Sequence, residues 1–407
     1  MKGRLFLLSL FIPLSIFAFS AKVIDAKTLK PLKGAMINDE IKTIYSDING
    51  TFSVDNNKTF HIKAYGYKRF SFDANTTQKE FKLQPITVKA LYLTFWGANT
   101  NSKTIKNILN IVKKTEVNAI VVDVKNAYGL TSFKTNFKQA NSYGASRQRT
   151  IKDITKFIKL MKENDIYTIA RIVVFKDEIQ ASHNPDYAIK KLNGKIWRNG
   201  DKMAWVNPYD KRSHTYTIKI AEEVAKAGFD EVNFDYIRFP AKKGLKFCKE
   251  NTQKNRTEAI SNFLNLAQKK LKKYGTFISV DTYGNVCWEK GDVGIGQTIK
   301  SLAKHADYIC PMLYPSGFSK GSFNVKHPSE HPYIVIYRSL KHNEKIISMK
   351  RMRPWLQSFR DYAHKKRSYK KVEIQQQIKA TQDVNTSGWM IWSPSSRYNI
   401  NYFKKED

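Results

Sequence analysis

From Ala90 to Ser393 one pattern recurs eight times: a short run suited to a buried strand, then a run with helical spacing. A strand followed each time by a helix returns to a parallel neighbour, because parallel pairing needs a long crossover. Eight such units are the count of a closed (β/α)8 barrel. The strand-like runs are Ala90–Gly97, Val117–Lys125, Tyr167–Phe175, the stretch within Gly228–Pro240, Phe277–Asp281, Asp307–Tyr314, Met352–Gln357 and Gly388–Ser393. They are strands one to eight. Helical faces between them include Ile105, Ile108 and Val112, then Phe157, Ile158 and Met161, then Phe263, Leu264 and Ala267. A doubly wound open sheet is the structural competitor, and it announces itself by a glycine-rich phosphate turn after its first strand. Strand one instead runs into Trp96-Gly-Ala-Asn99. The expected fold class is therefore α/β, a TIM barrel.

The residues before the barrel read differently. Residues 21–88 hold short alternating runs such as Thr51-Phe-Ser-Val54 and His61-Ile-Lys-Ala64. Turn chemistry separates them, as in Asp47-Ile-Asn-Gly50, and no helical period is present. A small all-β sandwich domain is expected there. Residues 1–20 read as a signal peptide: Lys2 and Arg4, an apolar run from Leu5 to Phe19, and small residues at Ala18 and Ser20. That run is too short for a membrane span. The expected organisation is a leader over 1–20, a sandwich over 21–88 and the barrel over 89–407. The mature protein would be exported, periplasmic or extracellular, with no membrane span after cleavage.

The formal net charge is +35. Such a field attracts anionic partners. Lysine is spread along the whole chain and is not massed in one stripe, which argues against a nucleic-acid partner. Of three cysteines, Cys248 follows strand four and Cys287 follows strand five, so a Cys248–Cys287 disulfide is expected on neighbouring loops. No CxxC spacing marks a metal. His327-Pro-Ser-Glu-His331 matches an inverted zinc-protease motif only formally, because Pro328 and Pro332 oppose the helix that motif needs. No cofactor and no metal are expected.

In a barrel the chemistry lies at the C-terminal ends of the strands. Strand four ends in Asn233-Phe-Asp-Tyr-Ile-Arg-Phe-Pro240, where Pro240 has no N–H for a ladder. Asn233 and Asp235 share one face opposite Val232 and Phe234. Ser279 and Asp281 share one face opposite Ile278 and Val280. The apolar pairs should meet helices, so both acids should point into the mouth. Two carboxylates flanking one bond are the equipment of glycoside cleavage. The catalytic candidates are Asp235 and Asp281. Around them, Trp96, Asp123, Arg171, Asp177, Asn233, Tyr236, Arg238, Tyr314, Gln357 and Trp392 are the candidates for binding substrate. An ion pair of Asp235 with Arg238, with only a structural role, explains strand four equally simply. Neighbouring strands lie about 4.8 Å apart, which favours the close carboxylate spacing of a retaining mechanism.

The barrel region, about Ala90 to Tyr402, resembles a bacterial glycoside hydrolase-like (β/α)8 family that is otherwise uncharacterised. The resemblance lies in "VNAIVVDVKNAYG", "ARIVVFKD", "GFDEVNFDYIRFP", "ISVDTYG", "ADYICPMLYPS" and "RPWLQSF", in that order. It implies the barrel fold and hydrolysis of O-glycosyl bonds, without a substrate. Strand four more distantly resembles the α-amylase and α-galactosidase group, whose nucleophilic aspartate would correspond to Asp235. The α-amylase acid/base would correspond to Asp281; those enzymes use Glu there, which leaves Asp123 or Asp177 as alternatives. Residues 21–88 resemble the carboxypeptidase-regulatory-like domain through "VIDAKTLKPLKGAMI", "SDINGTFSV" and "KAYGYKRF". The leading expectation is an exported glycoside hydrolase acting on a polysaccharide, with an anionic one favoured by the charge. A catalytically inactive barrel that binds carbohydrate or the cell envelope is the alternative. A metal-dependent deacetylase is disfavoured by the scarcity of clustered histidines.

Overall fold

The computed structural model describes residues 18–55 and 58–405. Eight parallel strands close into a barrel, each hydrogen-bonded to the next and strand eight to strand one. The strands are Val88–Leu93, Ala119–Lys125, Tyr167–Val173, Glu231–Asp235, Phe277–Tyr283, Tyr308–Met312, Trp355–Gln357 and Gly388–Trp392. The expected (β/α)8 fold is present. Strand one is shorter than expected at its far end: it stops at Leu93, and Phe95–Ala98 is a tight turn of 3-10 helix capped by the Thr94 hydroxyl. Closure depends on Gly388, whose φ is +112° and where a Cβ would sit 1.8 Å from the Val88 carbonyl oxygen.

Alternation sorts the side chains. Leu91, Val122, Ala170, Phe234, Val280 and Ile309 face the helices, while Tyr92, Val121, Ile169, Phe277 and Trp355 fill the barrel interior. The helix Lys211–Ala227 ends at Gly228 in the left-handed conformation, which turns the chain sharply into strand four.

Residues 18–83 form two sheets around one apolar core of Val23, Phe52, Phe60, Ile62, Phe72 and Phe81. In the first sheet Ala18–Asp25 lies between Thr51–Asp55 and Glu80–Leu83; the second is a four-stranded antiparallel sheet. The expected leader falls mostly outside the described residues, but its last three residues begin the first strand. Phe19 is buried there, its ring 5.6 Å from that of Phe72.

This β layer sits on the N-terminal ends of the barrel strands. Arg69 donates to the carbonyls of Tyr274 (2.6 Å) and Phe229 (3.3 Å), Lys63 pairs with Asp307 at 2.8 Å, and the Gly66 N–H donates to the Tyr308 hydroxyl at 3.2 Å. Beneath it, inside the barrel, Arg353 donates to both oxygens of Glu231 at 2.7 and 2.9 Å, and the Tyr167 hydroxyl donates to the same carboxylate at 3.0 Å. The barrel is thus closed at this end and open at the other. No helix among the described residues is long and apolar enough to cross a membrane.

Candidate active site

At the open end, strands two to five each deliver a charged side chain, Asp123 and Arg171 at one level and Asp235 and Asp281 at the next. Arg171 pairs in register with Asp123 on one side and Asn233 on the other; Asn233 pairs with Ser279 and Phe234 with Val280. Asp235 and Asp281 therefore follow at the same level on adjacent strands, both facing inward.

Arg171 lies at the centre. Its Nη1 donates to Asp123 Oδ1 at 2.6 Å; its Nε donates to Asp235 Oδ2 at 3.0 Å, and Nη2 donates to that same oxygen. Asp235 Oδ1 accepts the Tyr236 N–H at 2.6 Å. Tyr236 itself adopts a left-handed backbone, φ +49°, which costs a non-glycine residue about 1–3 kcal/mol. The bonds from Arg171 and the Tyr236 N–H fix the Asp235 carboxylate, and Tyr236 lines the cavity wall.

Asp281 is held differently. Its Oδ1 accepts from the Asn233 amide at 2.8 Å and from the Trp355 indole at 2.7 Å, and among the described residues it meets no cation. Burial, and then the neighbouring Asp235 charge, push its pKa well above the ordinary carboxylate range. Burial also raises Asp123, against the opposing pull of Arg171. One guanidinium thus bonds two carboxylates, and the third, Asp281, is held by an amide and an indole alone.

Aromatic rings line the walls. Tyr92 stacks on Trp392 with centroids 3.8 Å apart, and Arg171 lies over both rings at 5.8 and 5.1 Å. Arg238 stands among Tyr283, Trp205 and Tyr236, at 4.4, 5.0 and 5.0 Å from their centroids. The cavity between them measures ≈220 Å³.

Asp235, Asp281, Arg171, Tyr236, Arg238, Tyr314 and Trp392 all line this cavity. Asn233 lies beneath it, orienting Asp281, and Asp123 stands behind Arg171. Three expected residues lie elsewhere. Asp177 is fully buried, paired with Lys125 at 2.8 Å and capping the helix Glu178–His183. Gln357 is buried in bonds to Ser316 and Phe359, tying two loops together. Trp96 is 64% exposed and outside the cavity, because strand one ends early. Arg238 does not pair with Asp235; Arg171 takes that place. Tyr283, Met312 and Trp355 line the cavity without having been expected. Trp355 was findable, since it shares the inward face of strand seven with Gln357.

The cysteine expectation is corrected: all three thiols are free, with Cys287 packed into the core and Cys248 exposed beside Asn207. His331 does not join His327 in a metal-binding pair. His364 does approach His327, but their rings are stacked 3.6 Å apart at an interplanar angle of 5°, so one ion cannot lie in both ring planes, and Lys365 already pairs with Glu330.

Among solved structures, a hypothetical protein from Ruminiclostridium thermocellum is 35% identical over 47% of this chain and 96% of its own, with a TM-score of 0.42. The PgaB (BpsB) glycoside hydrolase domain from Bordetella bronchiseptica shares the fold: TM-score 0.56, 11% identity, 79% of this chain and 100% of that one. The spore cortex-lytic enzyme SleL of Bacillus megaterium aligns over 80% of this chain and 76% of its own at 14% identity, with a TM-score of 0.48. Comparison with curated proteins gives no match. Residues 90–398 match the family model described as "Putative glycosyl hydrolase domain", which spans the whole barrel, and the chain belongs to that family.

Proposed function

We propose that the chain is a glycoside hydrolase that cleaves a polysaccharide with Asp235 as nucleophile and Asp281 as general acid/base. One observation carries the reading: two carboxyl groups at one level on adjacent strands face the same cavity in opposite electrostatic settings. Asp235 is hydrogen-bonded to the Arg171 guanidinium, while Asp281 is bonded only to the neutral Asn233 amide and Trp355 indole. A carboxylate beside a guanidinium is suited to attack the anomeric carbon. A carboxyl group that keeps its proton is suited to protonate the leaving oxygen. Adjacent-strand placement, about 4.8 Å between backbones, favours the retaining course over the wider spacing that admits a water.

The assay is reducing-sugar release from a panel of neutral and acidic glycans, with anomeric configuration followed by NMR in the first minutes. Retention is expected; a first product of inverted configuration would replace the nucleophile with a base. In the same reading the protein is exported after removal of an N-terminal leader. Its β layer is a carboxypeptidase-regulatory-like module, able to fold as a unit apart from the barrel. Limited proteolysis between residues 84 and 88 tests the last point.

A second reading is favoured by one observation: both oxygens of Asp235 already accept hydrogen bonds within the protein. It makes the charge layer structural and the barrel a carbohydrate-binding module without activity. Full glycan binding with no product from any substrate in the panel would select it.

A further inference from the structure

We propose that the open end of the barrel binds an uncharged glycan chain, along a groove that leaves the acid pair over the loops after strands five and six. The proposal rests on the glycoside hydrolase reading of the cavity. That cavity shares Tyr283, Met312 and Tyr314 with a second compartment of ≈360 Å³, which shares Asn285 and Phe318 with a third of ≈340 Å³. Three joined compartments make a path and not a pit, and a path suits a chain of linked rings better than a single one.

The lining selects the kind of chain. The outer compartments carry the ring of Tyr362 and the indole of Trp288, which is stacked on His342, with amide and hydroxyl groups lining them at Asn285, Ser319 and Ser322. Tyr362 is 59% exposed; its ring lies parallel to that of Phe359, within 2°, and presents a broad apolar face to solvent. Aromatic faces stack on the C–H faces of sugars, and the polar groups between them can bond hydroxyls.

Charge decides the rest. The protein has 70 lysines and arginines, yet none lines either outer compartment, and the one charged residue there is Glu289. In the two outer compartments an acidic glycan would meet no lysine or arginine and one carboxylate. Of the two arginines of the inner cavity, Arg171 is paired with Asp123 and Asp235, and Arg238 donates to the Phe239 carbonyl and stands among three rings. The positive field of the whole surface attracts anions at long range, but the outer compartments place no lysine or arginine in contact with them.

The test is calorimetric binding to the full-length Asp235→Asn protein, which separates binding from turnover. The probes are cello-, xylo-, malto- and N-acetylchito-oligosaccharides of two to six units, with oligogalacturonates and hyaluronan oligomers as acidic counterparts, at 0.15 M salt. Affinity for at least one neutral series should rise about tenfold or more from two units to six, the effect of one or two stacking contacts. Tyr362→Ala in that background should remove most of the gain. Trp288→Ala should do the same, but its indole N–H donates to Ser339, so its melting temperature must be checked alongside. Tyr362, being exposed, carries the test if Trp288→Ala unfolds. Affinity that is flat with length in every series, tighter binding of the acidic series, or no binding at all would overturn the proposal. If long neutral chains bind but the wild-type protein leaves them uncut, the groove stands and the hydrolase reading falls.

Discussion

The two ends of the barrel hold buried charge in opposite ways. At the closed end Glu231 and Arg353 are one acid and one base, fully buried and joined by two hydrogen bonds, with Tyr167 and Tyr308 around them. The coulombic pull of Glu231, followed by that of Tyr167 and Tyr308, outweighs burial and raises the Arg353 pKa. At the open end one guanidinium faces three carboxyl groups. A balanced pair is a way to bury polar atoms at little net cost or gain. An unbalanced cluster forces at least one group out of its ordinary protonation state, which is what acid/base chemistry needs. The contrast distinguishes a structural ion pair from a working one more sharply than burial, which is nearly complete at both ends.

The largest effect should come from the open end. Asp235→Asn should lower turnover on the true substrate by about 10⁴-fold or more, the loss seen when a nucleophile is removed. Its circular dichroism should stay native, because Arg171 keeps Asp123. Near wild-type product formation would end the assignment.

At the closed end the same chemistry should be a matter of stability. Glu231→Gln leaves Arg353 buried without its partner and should cost about 3–5 kcal/mol in denaturant unfolding. At the open end Asp123→Asn should cost about 1 kcal/mol, since it removes a strained member of a crowded cluster while Arg171 keeps Asp235. Equal losses would erase the contrast.

A pH series sharpens it further. The folded-state pKa of Asp281 is raised by burial, so the folded protein binds this proton more tightly than the unfolded chain does. Its contribution is fully present below the ordinary value near 3.8 and is lost as pH rises through the higher folded value. The melting temperature of the wild type should therefore fall over that window, and Asp281→Asn should flatten the fall. The same variant should lose most activity on natural glycans and least on aryl glycosides whose leaving group needs no proton. An unchanged melting profile would mean that Asp281 is ionised in the fold.

The smallest effect should be that of salt. With no lysine or arginine along the outer groove, the rate on a neutral glycan should change by less than about twofold between 0.05 and 0.5 M salt, where screening shortens sharply. A steep decline on an acidic glycan over the same range would show that the surface charge steers substrate.

Much of this arrangement was legible in the chain, for reasons that are local. The inward aim of Asp235 and Asp281 follows from a period of two within their own strands. What the chain hid is lateral. Arg171 lies 64 positions from Asp235, and only the register of strands three and four brings them together. The nearer Arg238 was the natural but wrong partner. Asp177 carried a readable sign of its true role, because Asp177 with Gln180 three positions on is the signature of a helix start. Trp96 was misplaced because nothing in Leu93–Trp96 marks where pairing stops. The cysteine pairing failed on depth: neighbouring loops were correctly foreseen, but Cys287 turns inward to the core.

The β layer covers the end of the barrel opposite the acids. Whatever grips that layer, whether a second protein or a surface, holds the barrel from behind with its open end directed outward. Such a mounting leaves the approach to Asp235 and Asp281 unobstructed, and it lets a long strand pass across the face without meeting the support.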